Sequence, residues 1–409
     1  TASNNTAIGK NTLVANTTGA NNTSVGSGAL DANTTANDNT GVGYGALGAN
    51  TTGAANVAVG AGALKLNTTG TRNVSLGSYA LDANTTADDN TAIGYDALTA
   101  NTTGATNTAV GSYALDANTT GDGNTAVGKG ALTAATTADN NTAIGDVALT
   151  TCTTGASNVA VGKGSLHQLT TASDNVGVGQ ATLYANETGD YNIAIGREAL
   201  SGNISGTRNI AVGNNALDVP QTPNDNIAIG YDALKATTTG HSNTAIGSYT
   251  LTVNTTATNN TAIGYKALED NTTGQYNVAV GNYALGSNTT ASNNTAFGYN
   301  ALAANTTGDV NVAIGRQSML VNTTGSNNTA VGYYTMVANT TGTYGTAVGY
   351  NAMGANTTGT RNTAIGYASL DANTTGGYNT ALGMFAMTTS TADSYNTAVG
   401  YHAMGTMNG

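Results

Sequence analysis

The sequence predicts an all-β fold, a parallel β-solenoid (β-roll) of 24 coils with 17 residues in each. Three observations carry that expectation. Asn recurs every 17 residues, from Asn5 and Asn22 through Asn90 to Asn396, with Gly345 the one exception. Gly recurs four residues further on, from Gly9 through Gly94 to Gly400, with no insertion or deletion between copies. Aliphatic residues return at fixed places between these markers, which a disordered tract has no reason to maintain. A fixed period of this size marks an array in which each coil buries its apolar face only against its neighbours. The unbroken period makes residues 1–409 one continuous array with no linker.

Counting Asn90 as place 1, the coil Asn90 to Thr106 divides into elements. Place 2 is β-branched, as in Thr91, Val57 and Ile193, and place 4 is apolar, as in Ile8, Ile93, Val110 and Phe297. Alternate residues of a strand share a face, so the pattern predicts a strand over places 1 to 5 with places 2 and 4 turned inward. Place 3 is small, Ala92 for example, and place 5 is Gly94, which leaves an almost bare face for close packing against another chain. Place 9 is Leu or Met, as in Leu13, Leu98, Leu268 and Met336, and predicts a second strand over places 7 to 10. The predicted core is therefore Ile8, Leu13, Ile93, Leu98, Ile263 and Leu268. Asn101-Thr102-Thr103-Gly104 closes the coil as a turn, with Asn and Gly suited to positive φ. The Asn at place 1 is a candidate for an internal ladder of side-chain amides.

Composition narrows the function. Charged residues are 8% and net charge is −11, so there is no basic stripe to neutralise nucleic-acid phosphates. The single Cys152 has no partner for an internal disulfide and occupies the place of a turn Asn. No apolar run is long enough to cross a bilayer. The chain starts and stops in the same phase of the repeat, and an uncapped solenoid exposes its last strands to edge pairing. It therefore reads as a window of a longer fibre or a unit that stacks end to end.

No catalytic, cofactor or metal constellation emerges. Gly123 to Gly130, G-N-T-A-V-G-K-G, resembles a phosphate loop, but it lacks the final hydroxyl and continues as repeat. His167, His241 and His402 lie many coils apart. Asp38, Asp88, Asp89, Asp139, Asp174 and Asp225 precede the place-1 Asn and read as turn formers; a calcium-binding roll needs a stricter pattern. The region from Ala135 to Thr238 is least regular: the turn Asn is replaced at Ala135, Cys152, Leu169, Pro220 and Thr237, and Pro220 and Pro223 share one turn. These read as turn variants on the outside.

The Asn-Thr-Thr turn matches the N-linked acceptor pattern at Asn16, Asn33, Asn50, Asn67, Asn84, Asn101, Asn118, Asn186, Asn203, Asn254, Asn271, Asn288, Asn305, Asn322, Asn339, Asn356 and Asn373. In a glycosylating pathway these turns would carry sugars at regular intervals. The competing reading is that the turn itself requires Asn and Thr for local hydrogen bonds. O-linked sugar on the threonines is a further expectation.

The segments N-T-A-I-G-Y-D-A-L at Asn90 to Leu98 and N-V-A-V-G-A-G-A-L at Asn56 to Leu64 resemble the head repeat of YadA-like trimeric autotransporter adhesins. The longer form with its Asn-Thr-Thr-Gly turn is similar to repeats of phage tail-fibre and surface-fibre proteins. That resemblance implies a left-handed roll and three chains packed about an axis. The expected function is a non-catalytic structural and adhesive extracellular fibre, on a cell surface or virion. Its expected partners are further copies of itself, as a homotrimer or an end-to-end filament, and glycans or a host receptor, with no nucleic acid and no membrane span. Two alternatives stand beside it: an ice-binding solenoid, and a tail-spike that binds or cleaves glycans. The paired threonines of the turn are adjacent and point to opposite faces, which argues against a flat ice-binding array built from them.

Overall fold

The computed structural model describes residues 2–219 and 222–405. The chain divides into two compact units, Thr1–Thr207 and Arg208–Gly409, and each is a parallel β-solenoid. The first carries β1 (Thr6–Ile8) to β12 (Ile193–Ile195) and the second β13 (Ile210–Val212) to β24 (Thr397–Val399). Each strand is three residues long, and within a unit each pairs with the equivalent residues of the next coil. Thr91 lies opposite Thr108, Ala92 opposite Ala109 and Ile93 opposite Val110. No residue among those described is helical.

One strand forms per coil, where the sequence predicts two. Places 7 to 10 are a turn, because residues at places 7 and 9 adopt the left-handed conformation: φ is 52° at Asp96 and 55° at Leu98. A left-handed residue breaks a strand and costs an L-amino acid on the order of 1–2 kcal/mol. Burial of the Leu side chain, worth roughly 1.5–3 kcal/mol, offsets that cost, and Leu98 is fully buried. The turn is fixed between coils as firmly as the strand, since Leu98 N–H donates to Ala114 O at 2.9 Å.

The inside and outside of the strand are the reverse of the expectation. Ala92 is fully buried, whereas Thr91 and Ile93 are half-exposed. Ile8 and Ile263, expected in the core, are 59% and 37% exposed. The interior is too narrow for them. A Cβ built on Gly41, at place 3, would lie 3.2 Å from Ala46 O and 3.3 Å from Leu30 Cγ, so this place accepts a methyl or hydroxymethyl and nothing larger. Ser24 fits by donating Oγ–H to Ala29 O at 2.8 Å. Small residues recur there because they fill the coil's own core. The face they were expected to offer to another chain does not exist.

Leu98 and Leu268 are fully buried, as expected. Leu13, in the first coil, is only half-buried because a single neighbouring coil packs on it. Gly at place 5 is required twice over. Gly94 has φ 138°, and a Cβ there would meet Gly111 O at 2.5 Å, so any side chain would push neighbouring coils apart.

Candidate functional surfaces

Two amide ladders run inside each unit. At place 1, Asn90 Nδ2 donates to Gly104 O of its own coil at 2.9 Å, and Asn90 Oδ1 accepts the backbone N–H of Asn107 at 2.9 Å. One side chain therefore closes its coil and ties it to the next. At place 12, Asn101 Nδ2 donates to Asn84 Oδ1 at 3.0 Å and to Gly104 O at 2.9 Å. Thr102 at place 13 adds to this, its Oγ1 donating to Thr119 O at 2.9 Å.

In the folded coil the Asn of the N-linked acceptor pattern serves the turn's own hydrogen bonds, the competing reading of that pattern. The acceptor residues from Asn33 to Asn373 are all fully buried, and their amides are spent in the ladder. Asn16, in the first coil, is half-buried, with Nδ2 bonded to Gly19 O at 3.0 Å. The folded coil presents no such nitrogen to a transferase. The second threonine of the pair behaves differently: Thr103 and its equivalents at place 14 are exposed, while Thr102 is half-buried.

The place-12 substitutions also lie inside the coil, not on its outer turns. Ala135, Cys152, Leu169 and Thr237 are fully buried. They replace amides of the ladder with apolar or weakly bonding groups: Cys152 Sγ contacts Gly155 O at 3.3 Å, and burial pushes its thiol pKa up to about 12, which leaves it unreactive. Pro220 lies outside the described residues. Pro223 is buried and its carbonyl accepts from Asn209 Nδ2 at 2.8 Å.

The aspartates before place 1 serve the turn. Asp38, Asp89, Asp174 and Asp225 have φ between 59° and 61°, and Asp88 and Asp139 accept the N–H of Thr71 and Asp122 from the preceding coil at 2.7 and 2.8 Å. Asp89 and Asp225 meet Arg72 and Arg208 two-fold, and those hydrogen bonds hold both carboxyls below their ordinary pKa. The three histidines stay apart: His167 stacks on Tyr184, His402 on Phe385, and His241 contacts Ser242. Among the described residues no group of three or more His, Cys, Asp or Glu side chains is placed to hold a metal ion. A shallow, open groove of about 530 Å³ in the first unit is lined by Asp31, Tyr44 and Lys65, where Gly28, Gly45 and Gly48 leave the surface bare.

What the coils offer outward is the strand face. Places 2 and 4 form two columns, and the second is aliphatic or aromatic throughout. Exposure there is 47% at Leu76 and 41% at Ile195 in the first unit, and 55% at Phe297 and 39% at Ile365 in the second. Beside it, places 6 and 17 carry tyrosines such as Tyr95, Tyr350 and Tyr344, exposed by 48%, 44% and 54%. Sequence reasoning missed this face because it counted the larger residues as core. The signal was present in the width of the coil: a 17-residue turn with Asn and Leu already inside has no space for Ile as well. Compared with known proteins, the chain matches no family model and no curated protein.

Proposed function

We propose that this protein is a non-catalytic structural fibre element that works outside the cell, on a cell surface or a virion, and that its copies associate side by side through the strand face. A repetitive β-solenoid fits a fibre-like role, and one observation carries the rest: an unbroken column of aliphatic or aromatic side chains at place 4, half-exposed or exposed and running the length of each unit. Contiguous exposed apolar surface of this kind marks an interaction site. Covering side chains already half-buried adds on the order of 1 kcal/mol per coil, and a second copy presents the same step at every coil. The likeness to trimeric adhesin repeats agrees with three copies. Sugar carried by such a fibre is O-linked at place 14, on Thr103 and its equivalents, and glycopeptide mapping of natively produced protein reads this directly.

Light scattering of the full chain tests the association. The expected species is a trimer that Ile314→Lys with Ile365→Lys converts to folded monomer, the fold being read by circular dichroism. A wild-type chain that is monomeric at micromolar concentration removes the proposal.

A second reading has its own support. Place 2 is Thr in many coils, and Thr91 and Ile93 stand side by side on the outer face. That flat array, unlike the Thr pairs of the turn, is of the kind an ice-binding solenoid requires. Thermal hysteresis in the wild type that disappears in Thr91→Lys with Thr108→Lys would favour it, and none at millimolar protein would end it.

A further inference from the structure

In the second unit, successive coils place Tyr299, Arg316, Tyr333, Tyr350, Tyr367 and Phe385 along one edge of the strand face. The groups touch in sequence. The Arg316 guanidinium lies 5.7 Å from the Tyr299 ring centre and 5.6 Å from that of Tyr333. Ring centres are then 5.6 Å apart from Tyr333 to Tyr350, 4.9 Å from Tyr350 to Tyr367 in a stacked pair, and 5.3 Å from Tyr367 to Phe385. Tyr299, Tyr350 and Tyr367 remain 44–46% exposed. Fourteen of the 20 tyrosines fall in this unit.

Charge sets this strip apart. The protein carries −11 overall, yet from Ser248 to His402 places 6 and 7 hold no Asp or Glu, and their only Lys or Arg residues are Lys266 and Arg316. Lys266 is paired with Glu269 at 3.0 Å. Among the described residues no carboxylate comes within ion-pair distance of Arg316. Gln317 next to it has a shielded Oε1 with no hydrogen-bond partner. Asn300 and Asn351 supply further amides along the same edge.

We propose that this strip binds an extended, uncharged polysaccharide. Phenol rings repeat with the coil, close to the ~4.8 Å spacing of paired strands, and a sugar chain offers a flat, weakly polar C–H face at a comparable step. Its hydroxyls accept N–H bonds from Arg316, which lies between two rings at cation–π distance, and meet the amides of Asn300 and Asn351 along the same edge. A polyanion fits poorly, because one unpaired cation does not offset the net negative charge. Single-stranded nucleic acid also stacks on aromatic rings but requires a basic groove along its backbone. The strip lies beside the place-4 column, at places 6 and 7, so its substitutions are separate from those that test side-by-side association.

Affinity electrophoresis of the full chain in gels containing hydroxyethylcellulose, xylan, polygalacturonate or poly(U) tests this. Retardation by one of the neutral polymers is expected. It falls ~10-fold, equivalent to about 1.4 kcal/mol, in Tyr350→Ser with Tyr367→Ser and again in Arg316→Gln. Tyr95→Ser in the first unit leaves it unchanged. No retardation by either neutral polymer, stronger retardation by polygalacturonate or poly(U), or a change in oligomeric state in place of glycan binding overturns the proposal.

Discussion

The backbone N–H of Asn107 donates to Asn90 Oδ1 across 2.9 Å, while the same Asn90 side chain donates from Nδ2 to Gly104 O. Both lone-pair and N–H ends of one buried amide are thus in use, and only an amide has this polarity. Asn90→Asp sets a carboxylate oxygen against a carbonyl and loses a donor. It should cost more than the roughly 1–3 kcal/mol of an unsatisfied buried group, and exceed Asn90→Ala. Denaturant unfolding measures both, and an Asp variant as stable as wild type would remove the ladder from the stability of the coil.

Ala92 and Ile93 are neighbours in sequence and opposites in environment. Ala92→Val adds two methyl groups against Leu at place 9 and should destabilise by roughly 1–3 kcal/mol. Ile93→Thr trims a half-exposed side chain, and in the unassociated chain it should stay within about 0.5 kcal/mol of wild type. The reverse ranking in thermal melts would place the core where the sequence reading placed it.

That ranking also marks what the sequence could tell. The period, the parallel stacking and the burial of Leu98 were legible because each depends only on spacing and on a residue type with one dominant use, whereas Gly94 was recognised as invariant but read as opening a face to another chain. The facing of the strand was not. Alternation says that Thr91 and Ile93 share one face and Ala92 takes the other; it does not say which face is inside. Size favoured Ile, but the interior was already filled by Leu98, Asn90 and Asn101, and of the two polar residues Asn90 was read as a candidate internal ladder while Asn101 was read as a turn residue. The second strand failed for a related reason: φ 55° at Leu98 is a conformation that Leu rarely adopts, and no local propensity announces it. The turn left two readings open for a like reason, since an acceptor pattern for sugar and a buried amide ladder are written with the same letters, Asn-Thr-Thr.

Gly345 is the one break in the place-1 ladder, and two methionines close around it. A Cβ at this position would lie 2.8 Å from Met336 Cε and 3.4 Å from Met353 Cε. These side chains occupy the space that an Asn takes in other coils, and both are flexible enough to move. Gly345→Asn alone should therefore gain little or lose stability, and should become stabilising when Met336→Leu is added. A double-mutant cycle is expected to give a coupling of about 1 kcal/mol; simple additivity would mean that the methionines do not fill the gap.

Asp82, Asp116 and Asp371 share place 10, and burial raises all three carboxyl pKa values above the ordinary range. Asp371 Oδ1 is shielded and has no hydrogen-bond partner. For a carboxyl whose folded pKa is raised, the folded state binds the proton more tightly than the unfolded chain. The charged form therefore weakens the fold at neutral pH, and this penalty fades as pH falls through the folded pKa, ending below the ordinary Asp value near ~3.9. Asp89 and Asp225 have the opposite sign: their Arg partners stabilise the fold above the ordinary carboxylate range, and that contribution is lost as pH falls through their lowered values. Asp371→Asn, which keeps an oxygen acceptor and removes the charge, should raise Tm at pH 7, with the advantage shrinking as pH falls towards ~4. A Tm difference that is constant across that window would show that the charge of Asp371 is not what burial penalises.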